Sequence, residues 1–295
     1  MRIGVVVLPE QRWVEASARW RALDEMGFDH AWTYDHLAWR TLADGPWFAT
    51  VPTLTAAALV TSRIRLGTWV ASPNYRHPVT FAKELMSLDD VSGGRFELGV
   101  GAGGAGFDAT VLDGEVLAPR ARVDRLAEFV ELLDALLTQP STTWRGAYYS
   151  AVEARMLPGC IQRPRLPFVV AANGPRAMAV AARLGQGWAT TGPDSDEDDA
   201  SPASWWRGVG GLCARMDGVL ARVGREPAGL RRYLSVDAGG YALSSASAFA
   251  DAVGRASELG FTDVVTHWPR PDGVYAGDER VLEQVADDLD SLRRL

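Results

Sequence analysis

Positive charge is in short supply: 30 Lys and Arg face 37 Asp and Glu, for a formal net charge of -7. A nucleic-acid partner calls for clustered positive charge, so this balance argues against one. Cysteine is scarce as well. Cys160 and Cys213 lie far apart with no metal ligand at a usual spacing, which excludes a disulfide framework and a cysteine zinc site. They read as thiols in a reducing, cytoplasmic compartment. The four histidines, His30, His36, His77 and His267, are too few and too scattered for an evident metal centre, although a His36/His267 pair stays open. No apolar stretch approaches the length of a membrane span, and the short run before Pro9 lacks the core and cleavage site of a signal peptide. No nucleophile elbow marks a Ser-His-Asp hydrolase. No Gly-rich dinucleotide fingerprint follows the first apolar run.

What is present is a well-stocked core, 47% hydrophobic against 23% charged, over 295 residues. That length suits one α/β barrel, and the whole of 1–295 reads as a single such domain. Ile3 to Leu8, a continuous β-branched run, reads as a strand buried on both faces. Further strands fall at His30 to Asp35, Ile64 to Ala71, Phe96 to Gly101, Phe168 to Ala172, Gly187 to Thr191, Arg232 to Asp237 and Thr262 to His267. Helical patterns lie between them, including Trp13 to Met26 closed by Gly27, and Arg120 to Leu137 with Leu126, Phe129, Leu133 and Leu136 on one face. Eight strands interleaved with helices predict a (β/α)8 TIM barrel with extended loops at the C-terminal face of the strands. A doubly wound sheet is the weaker alternative. The acidic stretch Asp194 to Asp199 reads as an exposed, solvated loop.

Barrel enzymes place their sites at the C-terminal ends of the strands. That rule selects Asp35 and His36, Ala71 to Asn74, Gly101 to Gly106, Asn173 with Gly174, and Thr191 with Gly192. The set holds few nucleophiles and many glycines, as suits a large planar or phosphorylated ligand that carries the chemistry itself. Gly101 to Gly106 lets backbone amides approach such a ligand, or is simply a mobile loop. Asn173-Gly174 opens a helix whose first amides can hold a phosphate, or is only a turn before an N-terminal proline. Asp35 either orients a catalytic His36 or caps a turn. Trp39, Trp47, Phe107, Trp205 and Trp206 lie in the segments Leu37 to Trp47, Phe107 to Leu117 and Gly192 to Trp206, read as loops. There they line an apolar substrate pocket or pack the loops onto the rim.

Several motifs resemble the luciferase-like monooxygenase superfamily, most strongly its deazaflavin (coenzyme F420) branch. They are Ile64–Pro73 (IRLGTWVASP), Arg76–Pro78 (RHP) and Leu88–Gly103 (LDDVSGGRFELGVGAG). Trp32–His36 (WTYDH), Gly146–Tyr149 (GAYY), Gln162–Pro164 (QRP) and Arg183–Trp188 (RLGQGW) agree with them in order. The resemblance implies a barrel seating a flavin-like ring. It implies a non-prolyl cis peptide at Trp69-Val70 backing the ring, and ring contacts from Asp35, His36, Ser72, Gly101, Ala102 and Gly103. It also implies a phosphate loop at Asn173-Gly174, with Thr191 nearby as a further cofactor contact. His36 is the candidate catalytic residue, and no metal is implied.

Two departures bear on the activity. Gly104 stands where sugar-phosphate dehydrogenases of this branch carry an acidic proton donor, and Arg40 stands where they have tryptophan. The resemblance therefore implies hydride transfer between coenzyme F420 and a small organic molecule that the sequence does not identify. An FMN-dependent monooxygenase fed by a separate reductase is the alternative, and a non-catalytic flavin-binding protein is the alternative of another class. A metal-dependent hydrolase is a distant third. Relatives also suggest a homodimer, with no interface specified by the sequence.

Overall fold

The computed structural model describes residues 1–193 and 201–295. The expectation about Asp194 to Asp199 lies outside the described residues. Eight parallel strands close into a barrel: β1 (Arg2–Val6), β2 (His30–Thr33), β3 (Arg65–Thr68), β4 (Phe96–Val100), then β7 (Phe168–Ala171), β8 (Gly187–Thr190), β9 (Arg231–Ser235) and β10 (Asp263–His267). Each pairs with the next in chain order, and β10 returns to β1 to close the ring. The two strands omitted from that ring, β5 (Ser141–Arg145) and β6 (Ser150–Arg155), form an antiparallel hairpin outside it. The expected (β/α)8 barrel is the fold observed.

The barrel strands are almost wholly buried because both of their faces are covered. Outside them lie α1 (Trp13–Met26), α2 (Thr50–Val60), α3 (Pro78–Val91), the one-turn α4 (Phe107–Thr110), α5 (Pro119–Thr138) and α6 (Pro175–Leu184). The set continues with α7 (Pro202–Val223), α8 (Ala246–Glu258), α9 (Glu279–Asp287) and α10 (Leu289–Leu292). Gly27 caps α1 in the left-handed conformation, with φ 87°, as the sequence suggested. Inside the barrel large rings fill the cross-section, and the neighbouring strands make room for them. A Cβ at Gly67 would lie 2.2 Å from the Trp32 ring.

The floor of the barrel is charged. Glu97, 1% exposed, accepts from Arg231 (3.1 Å) and from the Tyr233 hydroxyl (2.9 Å), and it pairs with Arg65. Burial alone would raise its pKa, but Arg231, Arg65, His30 and Arg2 outweigh burial and hold it at about 2.

Two of the family-like motifs are structural. Glu128 of α5 reaches into the β5–β6 turn and accepts from the amides of Ala147 (2.9 Å), Tyr148 (2.9 Å) and Tyr149 (2.8 Å). A side chain at Gly146 would collide with that carboxylate, which accounts for the glycine. Gln162 bridges Asp89 and the Phe96 carbonyl, both at 2.7 Å, and so pins the segment ahead of β7. Neither motif reaches the barrel mouth. Among the described residues, no helix is long and apolar enough to cross a membrane.

Candidate active site at the barrel mouth

The end of β2 feeds Tyr34, Asp35 and His36 to the mouth in succession. Neighbours on an extended chain point to opposite sides, and these two part ways. Asp35 is fully buried, and both its oxygens accept from Arg76 at 2.6 Å. Arg76 also donates to Glu84 (3.0 Å) and lies over the Phe81 ring at 4.2 Å. Burial raises the pKa of the Tyr75 hydroxyl, and the negative charge of nearby Asp35 raises it further. The expectation that Asp35 orients His36 is therefore corrected, since its carboxylate is committed to Arg76.

His36 takes its partner from elsewhere. Its Nδ1 lies 2.5 Å from Asp108 Oδ2 in α4, and Asp108 Oδ1 accepts from the Leu37 amide at 2.8 Å. A carboxylate only accepts, so Nδ1 carries the proton. Nε2 has no partner among the described residues, and the side chain is 28% exposed. The Trp47 indole fixes the His36 backbone through its carbonyl, at 2.8 Å. Asp108 lies four positions beyond exposed Gly104, so this mouth does carry a carboxylate from the loop after β4.

The Trp69-Val70 peptide is cis, as the resemblance implied. Trp69 packs edge-on against Trp32 at 5.1 Å, and the Ala71 carbonyl accepts from Gly101 N at 2.8 Å. Beside this bulge Ser72 is 3% exposed, and its Oγ has no hydrogen-bond partner. A Cβ at Gly101 would come within 3.0 Å of Val70, so the strand end stays bare of side chains. Half-buried Ala102 follows, then Gly103 at φ 74°, whose carbonyl accepts from Arg122 at 3.2 Å. Asn74 ties this turn to α5 through Arg125 (2.5 Å) and to the Gly104 carbonyl (3.1 Å).

The far side of the mouth is less uniform. The Asn173 side chain is used up in structure, donating to the Gly192 carbonyl (2.8 Å) and accepting from Thr190 Oγ1 (2.6 Å). Its backbone carbonyl accepts from Arg215 at 2.8 Å. Exposed Gly174 is the N-cap of α6 and provides no side-chain cap, which leaves the first-turn amides open. Thr191 is exposed beside it. Trp205 and Trp206 do not sit in a loop: they belong to α7, with Trp205 buried and edge-on to Trp206 at 4.8 Å. Phe107 likewise opens α4.

Of a second group at the mouth, the sequence singled out only His267, as a possible metal partner of His36. His267, at the end of β10, places Nδ1 2.6 Å from Asp237 Oδ2 and Nε2 2.8 Å from the Tyr34 hydroxyl. That hydroxyl lies 3.1 Å from the Tyr275 hydroxyl. Asp237 and His267 both end predicted strands, so the strand-end rule alone would have found them. Both ring nitrogens of His267 are engaged, by Asp237 and by Tyr34, so the His36/His267 metal pairing lacks a free ligand nitrogen on His267. Among the described residues, no group of three or more His, Cys, Asp or Glu could hold a metal ion.

Residues 1–238 match the family described as luciferase-like monooxygenase. An uncharacterised protein of Mycobacterium bovis is 28% identical over 97% of this chain and 99% of its own length. The F420-dependent glucose-6-phosphate dehydrogenase of Amycolatopsis mediterranei is 34% identical, over 57% of this chain and 50% of that protein. Among solved structures, riboflavin lyase with modified FMN and substrate riboflavin superposes with a TM-score of 0.78 at 14% identity, covering 100% of this chain and 91% of that one. At 14% identity the likeness to that structure is one of fold.

Proposed function

We propose, from the premise that the chain belongs to the luciferase-like monooxygenase family, that it is an oxidoreductase moving a hydride between bound coenzyme F420 and a small organic substrate. The observation that carries this reading is the orphaned Ser72 hydroxyl. A buried hydroxyl without a partner costs free energy, and here it follows the Trp69-Val70 bulge by two residues, next to Ala71, whose carbonyl accepts from the side-chain-free Gly101. A planar, polar-edged ring at that place gives the hydroxyl its partner and needs the bare backbone. When bound, the deazaflavin supplies a carbon centre that accepts or returns a hydride.

The chain's own residues do the rest. Trp69 and Val70 back the ring, Ser72 and the Gly101, Ala102 and Gly103 backbone hold its edge, and Gly174 at the start of α6 receives an anionic group. Asn173 and Thr191 shape that end, with Asn173 acting through its backbone because its side chain is occupied. Asp35 supports the wall through Arg76. His36, with Nδ1 held by Asp108, presents Nε2 to the reacting oxygen and donates a proton or hydrogen bond there when protonated.

Fluorescence titration of the purified protein with F420 and with FMN tests the cofactor. Tight F420 binding supports the reading, and tight FMN binding with none of F420 replaces it with a two-component monooxygenase. Binding without turnover across a broad substrate panel makes the protein a carrier. Full turnover by His36→Ala at unchanged cofactor affinity would remove His36 from the chemistry.

A further inference from the structure

The Asp237, His267, Tyr34 and Tyr275 chain has a direction. Asp237 accepts from His267 Nδ1, from the His267 amide (2.8 Å), from Thr266 Oγ1 (3.1 Å) and from the Ala242 amide (3.0 Å). Its carboxylate cannot donate, so the neutral imidazole carries its proton on Nδ1, and Nε2 accepts. The Tyr34 hydroxyl, 2.8 Å away, therefore gives its only proton to Nε2. Tyr275, at 3.1 Å, must then donate to the Tyr34 oxygen. Every proton points inward, and the series ends with acceptor capacity on the Tyr275 oxygen.

The location is as specific as the direction. Asp237, His267 and Tyr34 are buried, whereas Tyr275 is half-buried at the rim. Its ring lies flat on His267, with centroids 3.6 Å apart and planes 6° from parallel, and Trp39 stacks beyond it. Tyr275 holds φ 62°, a left-handed conformation that a bulky residue adopts at a cost. Tyr34, Tyr275 and Trp39 share one apolar cluster with Trp69 and Val70, so the relay opens on the same mouth as the cis bulge. The Tyr34 ring also meets His36 edge-on at 5.8 Å and His267 at 5.5 Å.

We propose that Tyr275 is the port of a proton-accepting relay, backed by Asp237, and that the substrate it serves is an alcohol. This inference rests on the hydride-transfer reading above. As the carbinol is oxidised, its O–H bond breaks and the proton passes to the Tyr275 oxygen. The Tyr275 proton moves to Tyr34 and the Tyr34 proton to His267 Nε2, leaving an imidazolium beside Asp237. The C–H bond breaks with its electron pair, which leaves as hydride to the bound deazaflavin, and the C=O bond forms. When it carries a proton on Nε2 as well, His36, held by Asp108, donates to a lone pair of the same oxygen and stabilises it as the proton departs.

Tyr275→Phe and Tyr34→Phe keep both rings and remove one hydroxyl each. In the ligand-free protein, nitrogen NMR with labelled histidine should show His267 protonated at Nδ1 and accepting at Nε2. The Nε2 signal should move in Tyr34→Phe, with that of His36 in place. With F420 bound, single-turnover reduction by 2-propanol or cyclohexanol should fall about 10²-fold in Tyr275→Phe at unchanged F420 affinity, and its solvent isotope effect should change. A wild-type rate and isotope effect in Tyr275→Phe, or His267 protonated at Nε2 instead of Nδ1, would overturn the relay. Turnover of bound F420 with substrates lacking a hydroxyl, and none with alcohols, would overturn the substrate class. Failure of the wild type to bind F420 overturns the cofactor reading and with it the alcohol step; the NMR experiment then decides the hydrogen-bond order alone. If Tyr275→Phe does not fold, Tyr34→Phe is carried through the same measurements.

Discussion

His36 rests on Asp108, 72 residues further along the chain, with Nδ1 2.5 Å from the carboxylate, while its chain neighbour Asp35 faces Arg76. The tautomer of His36 is thus set from α4. In Asp108→Asn the amide nitrogen donates where the carboxylate accepted, which favours the opposite tautomer and rotates the ring. Turnover, followed through cofactor absorbance, should fall about 10²-fold in this variant with cofactor affinity within a factor of about two. An unchanged rate would mean that His36 does not need this partner.

Asp35 predicts a different phenotype. Removing one member of a buried pair leaves the other charge uncompensated, at a typical cost of about 3–5 kcal/mol. Arg76 keeps Glu84 and a partly exposed face, so Asp35→Ala should lie near the lower end, about 3 kcal/mol. The measurement is the urea midpoint of the ligand-free protein. A loss of activity without a loss of stability would show that Asp35 touches the ligand after all.

The barrel was legible because its strands are buried on both faces and so appear as short, mainly apolar segments between helical patterns. All eight were recognisable, with ends shifted by at most three residues. Helix α7 was not, because Gly208, Gly210 and Gly211 interrupt its pattern, and its two tryptophans resembled a loop's aromatic lining. The hairpin β5–β6 was hidden by exposed positions such as Thr143, Glu153 and Arg155. In the site, the bare Gly101 turn and the bulge at Trp69-Val70 carried a local signature. The partners of His36 and His267 did not, since the contact of Asp108 with one and of Tyr34 with the other exists only once the barrel has closed. A pattern along the chain encodes which face a residue takes, and says little about what it meets there.

Ser72 gives opposite signs in two measurements. Its buried Oγ has no partner in the ligand-free protein, so Ser72→Ala removes a desolvated hydroxyl and should leave stability unchanged or raise it by about 1 kcal/mol. If the hydroxyl bonds the cofactor, the same change should weaken cofactor binding about tenfold, which is the equilibrium equivalent of roughly 1.4 kcal/mol. Thermal melts without ligand and titration with F420 or FMN read the two effects separately. A destabilised variant with unaltered affinity would make Ser72 a packing residue.

Glu97 sets an acid limit on the barrel itself. Its folded pKa, about 2, lies below the ordinary value near 4.5 because Arg231, Arg65, His30 and Arg2 outweigh the cost of burial. A carboxylate depressed in the folded state contributes stability that is fully present above the unfolded value. That stability is lost as pH falls from about 4.5 toward 2. Converted by the usual factor, the contribution is on the order of 3 kcal/mol. Glu97→Gln keeps the shape and removes the charge, which leaves Arg231 and Arg65 without their carboxylate while Arg2 keeps Asp263. The variant should therefore be less stable than wild type at pH 7, by roughly that amount. Every other carboxylate titrates alike in the two proteins, so the difference between them isolates this one. It should stay constant down to about pH 5 and narrow below it, as Glu97 in the unfolded wild-type chain takes up a proton that the folded protein does not. Paired urea titrations at pH 7, 5 and 3.5 follow the gap. One that stays constant through the acid range would show that Glu97 is not the group that titrates there.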